Sequence, residues 1–395
     1  MQKAISELIR NNSSAFYVFD IKALRDRISC LRSSLPKDIS LCYAVKANTF
    51  ISGEIINDVE RFEICSPGEY YICRELGIDS KKMVISGVYK TPAVIEEMVA
   101  DPDFEGIFTA ESVRQYQLLC DLSMKYNRRL RVIPRLTNGS QFGMDITDLE
   151  AVVRDRKKHE NIELIGIQYF SGTQKTSLKK YKRELEALDE LLTALNDKYS
   201  FIAEELEYGT GFPVSYFRGE ELDEESLLKG FSELIEAMSC KPRIVIELGR
   251  SIAASCGAYY THIVDIKHNK GQSYAITDGG MHQLVYYGQY LAMKQPFVSV
   301  VGKENAPSVG QWIICGSLCT MNDIIVKQAE LPDIEVGDTL CFERTGAYCM
   351  TEGISLLLSR ELPSVYILAE NGEAKQVRGA FETRQLNMPY YERKY

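Results

Sequence analysis

Short apolar runs alternate with charged, helix-like stretches from about residue 22 to residue 256. Each run has the length of a buried strand, and the stretches between them, such as 66–77 and 177–200, are long enough for helices. The predicted strands are 40–47, 61–66, 83–87, 106–110, 130–136, 164–170, 205–211 and 243–249. A strand followed by a helix, repeated eight times, is typical of a (β/α)8 barrel, the TIM barrel.

The pattern changes after residue 257 to strands separated by turns. The dipeptide Asn371-Gly372 between apolar runs is a hairpin signal. We therefore predict an α/β chain with two domains, a barrel of residues 22–256 and a β-rich domain of residues 1–21 plus 257–395.

Charge and hydropathy exclude several classes of partner. The formal net charge of −9 argues against nucleic acid and against an anionic membrane, because both attract basic surfaces. No apolar run approaches the roughly 18 residues of a membrane span. The N-terminal segment lacks the apolar core of a signal peptide, so we expect a cytoplasmic protein.

Cysteine and histidine usage changes this picture little. The eleven cysteines are scattered through strand-like and helix-like segments, which favours free thiols over disulfides. The four histidines lack the spacing of metal ligands, so no metal site is expected.

One lysine, Lys46, ends the apolar run 41–45. An unpaired ammonium is costly to desolvate. One interpretation is that the long side chain of Lys46 carries its ammonium to solvent. The second interpretation is an amine desolvated so that it can form a Schiff base. This segment alone leaves both interpretations open.

Three further strand ends carry turns suited to an anion. They read FSGTQ (170–174), YGTGFP (208–213) and ELGRS (247–251). Sites in such barrels lie at the carboxyl ends of the strands. Glycine-rich turns there let backbone N–H groups approach a phosphate closely. Three such turns and an arginine predict a cofactor that bears a phosphate.

Five motifs in order, YAVKAN, GTGFP, ELGR, GSLCTMND and GAY, carry a family resemblance. The sequence resembles the fold-type III pyridoxal-phosphate (PLP) decarboxylases, which include diaminopimelate, ornithine and arginine decarboxylases, from about residue 16 to residue 353. The resemblance implies a barrel with a C-terminal β-rich domain, as in alanine racemase. It also implies a homodimer with shared active sites, since the cysteine loop of the family reaches the cofactor of the neighbouring subunit.

The resemblance assigns a role to each matching residue. Lys46 would hold PLP as a Schiff base, Glu247 would face the pyridine nitrogen, and Cys319 would protonate the α-carbon after carbon dioxide leaves. Phe170 stands where relatives carry a histidine stacked on the cofactor ring. The residues implied at the phosphate are Thr173, Gly209, Gly211, Gly249, Arg250 and Tyr348.

Departures from the family pattern bear on the substrate. Thr320 replaces the acid that grips a distal ammonium, and Tyr286 stands where diaminopimelate decarboxylases carry an arginine, although Tyr290 matches the tyrosine that follows. A site without its counter-charge binds a charged end poorly. We expect an amino acid, or an aminoacyl group on an acyl-carrier protein, other than diaminopimelate or ornithine. Glu352 could still supply the missing charge.

The expected branch is the one that includes siderophore-pathway decarboxylases and the carrier-protein glutamyl decarboxylase of butirosin biosynthesis. Diaminopimelate decarboxylase itself stays an alternative. A racemase is a second one, but racemases of this plan place an arginine near the pyridine nitrogen, where this chain offers Glu247. The β-rich domain and the GSLC motif argue against a non-catalytic PLP carrier. A binding protein without cofactor would leave Lys46 and the glycine turns unexplained.

Overall fold

The structure is a computed structural model that describes residues 2–389. Its helices are α1 Gln2–Asn11, α2 Ile21–Ser34, α3 Pro67–Glu75, α4 Pro92–Ala100, α5 Val113–Lys125, α6 Ile146–Asp155, α7 Leu178–Tyr199, α8 Glu224–Ala237, α9 Arg250–Ala253 and α10 Arg384–Asn387. Its strands are β1 Phe16–Asp20, β2 Ser40–Ala44, β3 Arg61–Ile64, β4 Met83–Ile85, β5 Ile107–Ala110, β6 Leu130–Leu136, β7 Ile162–Leu164, β8 Gly166–Phe170, β9 Glu205–Gly209, β10 Arg243–Leu248, β11 Gly257–Asn269, β12 Gln272–Thr277, β13 Val298–Val300, β14 Gly310–Cys315, β15 Ile324–Leu331, β16 Thr339–Glu343, β17 Ser364–Leu368 and β18 Ala374–Arg378.

Eight parallel strands close into a barrel. The order is β2, β3, β4, β5, β6, β8, β9 and β10, and β10 pairs with β2 to complete the ring, while the short β7 also pairs with β6. All eight predicted strands are present, and the predicted TIM barrel is confirmed. The register places Glu247 of β10 beside Cys42 of β2 and Gly209 of β9.

The barrel has an apolar cluster and a charged interior. Cys42, Val84, Ile107, Ile133, Ile165 and Val245 form one fully buried cluster. Other barrel strands, and β6, carry buried polar and charged side chains: Arg61, Glu63, Arg135, Gln168, Glu205 and Glu207. Buried charges of this kind are rare unless they are paired or used, so they identify the part of the barrel to inspect.

Local sequence signals explain where the predicted helices begin and end. The Ser66 side chain accepts a hydrogen bond from the backbone N–H of Glu69 at 3.2 Å, and Pro67 occupies the first turn of α3. The helix predicted over 177–200 is α7, which ends at Ser200 in the left-handed conformation (φ +50°). Both predictions are confirmed.

The second sheet is β-rich, as predicted. Its main path is β15-β14-β12-β11-β1-β17-β18, with β16 pairing with β11 and β13. β17 and β18 form an antiparallel hairpin around the predicted Asn371-Gly372 turn, where Gly372 has φ +82°. The loop spans 369–373, closed by a hydrogen bond from Ala369 N–H to Glu373 O at 2.9 Å, so it is longer than a two-residue turn.

The described chain forms two compact units. One, the barrel unit, comprises Arg27–Val214 with Leu222–Ile252, and the other, the β-rich unit, comprises the remaining described residues. The N-terminal β1 belongs to the second sheet, where it runs parallel to β17. The boundaries of the domains at 21/22 and 256/257 stay a prediction.

Three structural findings complete the description of residues 2–389. No helix in this part of the chain is long and apolar enough to cross a membrane. None of the eleven cysteines forms a disulfide. No cluster of three or more histidine, cysteine or acidic side chains within it could hold a metal ion.

Candidate active site

Lys46 extends from a tight turn at the carboxyl end of β2. The strand stops at Ala44, and Val45–Ala47 forms a 3-10 turn, so the predicted strand 40–47 ends three residues early. The Lys46 Nζ atom lies 2.6 Å from Glu63 Oε2, and its side chain is 42% exposed. The Lys46 ammonium is therefore paired with an acid, and its role as the Schiff-base lysine stays a prediction.

Glu63 and Cys65 surround the Lys46 amine. Burial raises the pKa of Glu63, but the Lys46 ammonium and a hydrogen bond from Cys65 outweigh it, and the pKa lies below its usual value. Burial and the Glu63 charge raise the pKa of the Cys65 thiol well above its usual value. Its Sγ lies 3.4 Å from both Lys46 Nζ and Glu63 Oε1. In this state Lys46 and Glu63 are an ion pair and Cys65 is a neutral thiol.

A pair of acids bridged by an amide lies nearby in the barrel. Gln168 Nε2 donates to Glu207 Oε1 at 3.0 Å and also to Glu247 Oε1. Burial, with repulsion from Glu63 and Glu207, raises the pKa of Glu247 well above its usual value. Burial also raises the pKa of Glu207. The Glu207–Glu247 pair therefore retains a proton at a pH where exposed carboxyls are ionised.

Two buried arginines form ion pairs with further acids in the barrel. Arg61 forms a two-point ion pair with Glu205, at 2.6 and 2.8 Å, and its Nη1 lies 3.3 Å from Glu207 Oε2. Arg135 Nη1 lies 3.1 Å from Glu111 Oε1. Two buried polar atoms, Arg135 Nε and Gln168 Oε1, have no hydrogen-bond partner among residues 2–389. The barrel interior thus contains one donor and one acceptor that could bind a polar ligand.

Glycines keep the ends of β8 and β9 close together. A Cβ at Gly209 would lie 2.3 Å from the Phe170 ring. A Cβ at Gly211, which has φ +60°, would lie 2.0 Å from the carbonyl oxygen of Gly172. Only glycine fits at either position, and glycine-rich turns of this kind can bring backbone N–H groups close to a phosphate.

Arg250 joins the third predicted turn to the first. It begins α9 directly after Gly249, and its side chain is buried. Its Nε donates to Thr173 Oγ1 at 3.4 Å. The structure therefore brings together, within the barrel unit, eight residues that the sequence predicted for the cofactor: Lys46, Phe170, Thr173, Gly209, Gly211, Glu247, Gly249 and Arg250.

The other predicted site residues belong to the β-rich unit. Cys319 is exposed, Thr320 is partly exposed and Tyr290 is 74% exposed. Tyr348 is half-buried with φ +65°, a strained conformation for a tyrosine. Their roles stay predictions.

Tyr286 has a different environment. It is 3% exposed, its hydroxyl donates to Glu343 O at 2.6 Å, and its ring contacts the rings of Tyr216 and Phe217. Its predicted contact with substrate would require that hydroxyl to exchange its acceptor.

Sequence reasoning missed Glu63, Glu207 and Gln168. The signal was present, because each is a polar residue inside a run assigned to a buried strand. In a barrel such a residue points either outward toward the helices or inward toward the axis, and the sequence alone does not say which.

These residues fit PLP. An accessible lysine amine with an acid beside it suits carbonyl attachment. A buried acid such as Glu247 can form a hydrogen bond with the ring nitrogen. Turns that accept only glycine can bind a phosphate through their backbone N–H groups. The open polar atoms in the interior agree with a polar ligand.

The chain matches the family model described as "Pyridoxal-dependent decarboxylase, pyridoxal binding domain" over residues 21–254. It therefore belongs to the fold-type III PLP-dependent decarboxylases, and it is a PLP-dependent enzyme of the lyase class. The family recognised from the motifs is confirmed.

Three relatives are similar over nearly their whole length, each 26% identical. One is diaminopimelate decarboxylase from Aquifex aeolicus, aligned over 95% of this chain and 91% of the relative. Another, from Niallia circulans, decarboxylates L-glutamyl groups on the BtrI acyl-carrier protein and aligns over 95% and 94%. The third, from Staphylococcus aureus, decarboxylates a 2-hydroxybutanedioate bearing an (L-alanin-3-ylcarbamoyl)methyl group and aligns over 94% and 99%.

The fold is also similar to solved structures. Diaminopimelate decarboxylase from Helicobacter pylori in complex with L-lysine has a TM-score of 0.84 at 20% identity, covering 97% of this chain and 98% of that one. This likeness supports the barrel and the β-rich sheet, and at that identity it says nothing of the substrate.

Proposed function

We propose that the protein decarboxylates an amino acid, or an aminoacyl group on a carrier protein, whose distal end carries no free ammonium or carboxylate. The observation that carries the proposal is Tyr286. It stands where diaminopimelate decarboxylases place an arginine, and its hydroxyl is already bonded to Glu343 O in a buried aromatic setting. Tyr286 itself supplies no positive charge for a distal carboxylate.

The second support is Thr320, which stands where relatives carry an acid. Its hydroxyl accepts a weak hydrogen bond from Asn322 N–H at 3.4 Å. A hydroxyl cannot replace a counter-charge, and an ammonium left unpaired in a desolvated site costs about 3–5 kcal/mol. The relative from Niallia circulans acts on a glutamyl group bound to a carrier protein, which supports a carrier-bound substrate.

Three barrel residues would bind the reactive part of the cofactor. PLP, when bound, supplies an electron sink for the electron pair left on the α-carbon. Lys46 would attach the cofactor, with Glu63 holding the amine in place through their ion pair. Glu247 would face the ring nitrogen, and its carboxylate would accept a hydrogen bond from the nitrogen, which favours the protonated ring.

The phosphate would lie at the glycine turns. Gly209, Gly211 and Gly249 would offer backbone N–H groups, with Thr173 and Arg250 supplying a hydroxyl and a positive charge beside them. Phe170 would offer a face for the ring. We assign the remaining phosphate contact to Tyr348.

Cys319 would deliver the proton that replaces carbon dioxide at the α-carbon. We further propose a homodimer in which this residue serves the site of the neighbouring subunit. Mixing the inactive variants Lys46→Ala and Cys319→Ala then restores part of the activity, because a mixed dimer has one site with both residues intact. Inactive mixtures from subunits shown to exchange would contradict the shared site.

The test of the substrate proposal is a comparison of carbon dioxide release. The purified enzyme with PLP is supplied with diaminopimelate, ornithine and lysine, and in parallel with glutamyl and other aminoacyl groups on an acyl-carrier protein. We expect a kcat/KM at least about 100-fold higher for a neutral-ended or carrier-bound substrate. Efficient turnover of diaminopimelate would show instead a diaminopimelate decarboxylase, the function of the Aquifex aeolicus relative.

A further inference from the structure

Lys175 and Glu184 form a buried ion pair in the barrel unit. The Lys175 Nζ atom lies 2.8 Å from Glu184 Oε2, and the two side chains are 4% and 9% exposed. Nζ also contacts Ser171 Oγ at 2.9 Å and Tyr208 OH at 3.2 Å. It lies 4.8 Å and 5.0 Å from the ring centroids of Tyr181 and Tyr208. Polar and aromatic groups thus surround the ammonium on several sides.

Glu184 is equally well satisfied. Its Oε1 accepts from Ser171 Oγ at 2.6 Å, and its Oε2 accepts from Tyr208 OH as well as from Lys175. Burial raises the pKa of Glu184, but these donors outweigh it and the pKa lies below its usual value. Burial lowers the pKa of Lys175 in spite of its partner. Taking both charges out of water is therefore costly here.

A buried ion pair is a poor source of net stability, because apolar residues of similar volume often serve as well or better. What such a pair does provide is a defined geometry. The position of this pair shows which geometry it defines, since Ser171 and Lys175 flank Thr173 in the irregular segment 171–177 between β8 and α7.

The loop 171–175 has a strained backbone, which tertiary contacts must stabilise. Gly172 has φ +133° and Gln174 has φ +56°, and a left-handed glutamine persists only where its surroundings enforce it. Two sets of contacts do so. The Lys175 backbone N–H donates to Gly211 O at 2.9 Å. The Gln174 side chain exchanges two hydrogen bonds with the Val214 backbone, at 2.8 and 2.7 Å.

We propose that Lys175 is a positioning residue for the cofactor phosphate, because its ion pair with Glu184 fixes the loop 171–175 against Gly211. The inference rests on the proposed cofactor site. The loop presents Thr173 to Arg250, and Gly211 lies in the neighbouring glycine turn, so the ion pair sets the distance between two phosphate-binding segments. Lys175 does not itself touch the cofactor in this proposal.

The test removes the ion pair in two ways. Lys175→Met leaves the Glu184 carboxylate buried without its cation, so the double variant Lys175→Met with Glu184→Gln is measured as well. PLP is titrated into the cofactor-free enzyme, and we expect its affinity to fall about 10- to 100-fold, by analogy with metal sites that lose a partner of a metal ligand. At saturating PLP, kcat stays within about twofold of wild type, because the reacting groups are intact.

Hydrogen exchange provides a second readout that does not depend on activity. In both variants the backbone amides of residues 172–175, 211, 212 and 214 exchange faster than in wild type, while those of strand β6 are unchanged. A general loss of stability would accelerate exchange throughout the barrel.

Arg156, in the 3-10 turn that follows α6, offers a matched control because it contacts the end of the same helix, α7. Its Nη2 donates to Tyr199 O at 3.0 Å and to Ser200 O at 2.9 Å, at the end of the helix far from the loop. Its guanidinium also lies 5.4 Å from the Phe201 ring centroid. Arg156→Met therefore destabilises the same helix, and we expect its PLP affinity to stay within about twofold of wild type.

Two results would overturn the positioning role. One is unchanged PLP affinity in the double variant. The other is an equal loss of affinity in Arg156→Met and Lys175→Met at an equal fall in Tm. Absence of PLP binding by the wild-type enzyme would refute the cofactor site itself, so failure of the inference and failure of the proposed function give different results.

Discussion

Glu247 is the residue whose chemistry the structure describes most fully. It shares the Gln168 amide with Glu207, and burial with nearby negative charge raises its pKa. A carboxyl that holds a proton next to a second acid is suited to a basic ring nitrogen, since the proton can be shared with it. The acid beside Lys46 is in the opposite state, because the Lys46 ammonium holds Glu63 ionised.

Glu247→Gln tests this difference. The variant keeps the phosphate turns and should bind PLP with an affinity within a fewfold of wild type, while kcat falls at least about 100-fold because the electron sink weakens. Cofactor content is read from absorbance and kcat from carbon dioxide release. Glu207→Gln is the comparison variant, since it removes the other acid on the Gln168 amide and leaves the one assigned to the nitrogen, and we expect a smaller fall in kcat. A fully active Glu247→Gln would show that the acid is structural.

At this scale the sequence predicted the residues that carry motifs and missed those that support them. Lys46, Glu247 and Arg250 stand in short conspicuous segments at strand ends. Glu63 and Gln168 stand inside strands, and whether such a side chain faces the barrel axis depends on a strand register that no local pattern encodes. The register of the barrel strands is fixed only by the tertiary structure, when the eight strands pair into a closed barrel.

Gly209 decides the geometry of two elements, the ends of β8 and β9. A Cβ there would approach the Phe170 ring to 2.3 Å and its Cβ to 2.9 Å. One of the two strand ends must then move, and both carry proposed cofactor contacts. Displacements near 1 Å at a site can cost about 100-fold in rate.

We therefore expect Gly209→Ala to lower PLP affinity by tenfold or more, measured by titration of the cofactor-free enzyme. The control is Gly68→Ala in α3, where the new Cβ would meet only Ser66 Oγ at 3.9 Å, an ordinary contact. That variant should bind PLP normally and gain slight helix stability. Normal affinity in Gly209→Ala would mean that the turn adapts and does not shape the site.

The elements themselves were largely predictable. Apolar runs bounded by charged stretches located all eight barrel strands, and Ser66 with Pro67 marked the start of α3. The end of β2 was not predictable, because Val45 and Ala47 continue the apolar run although the backbone has turned into a 3-10 helix. Because of this turn, the Lys46 side chain is 42% exposed although it follows a buried strand.

For the whole molecule, the buried acids predict a dependence of stability on pH. The folded-state pKa of Glu247 lies well above the ordinary value of 4.5, so the folded chain binds this proton more tightly than the unfolded chain. This contribution to stability is present below about pH 4.5 and is lost as pH rises toward the folded pKa, at up to about 1.4 kcal/mol per pH unit. Glu247→Gln has no such proton.

We expect the cofactor-free Glu247→Gln variant to gain stability relative to wild type as pH rises from 5 to 8. Urea unfolding of both proteins across this range measures the difference, in which the other titrating groups largely cancel. A difference that does not change with pH would mean that Glu247 titrates normally in the folded chain.

The central claim is that this chain holds PLP on Lys46, and borohydride reduction followed by peptide mass analysis tests it most directly. Lys90 is the built-in competitor, since burial lowers its pKa to about 8 and leaves more of its amine neutral. Its Nζ is nevertheless enclosed by Gly87 O, Thr109 Oγ1 and Gln115 Oε1, whereas Lys46 is open. The account predicts a visible absorption band that borohydride bleaches, with the label on the peptide containing Lys46. A label on Lys90 or elsewhere, or no bound PLP, would contradict it.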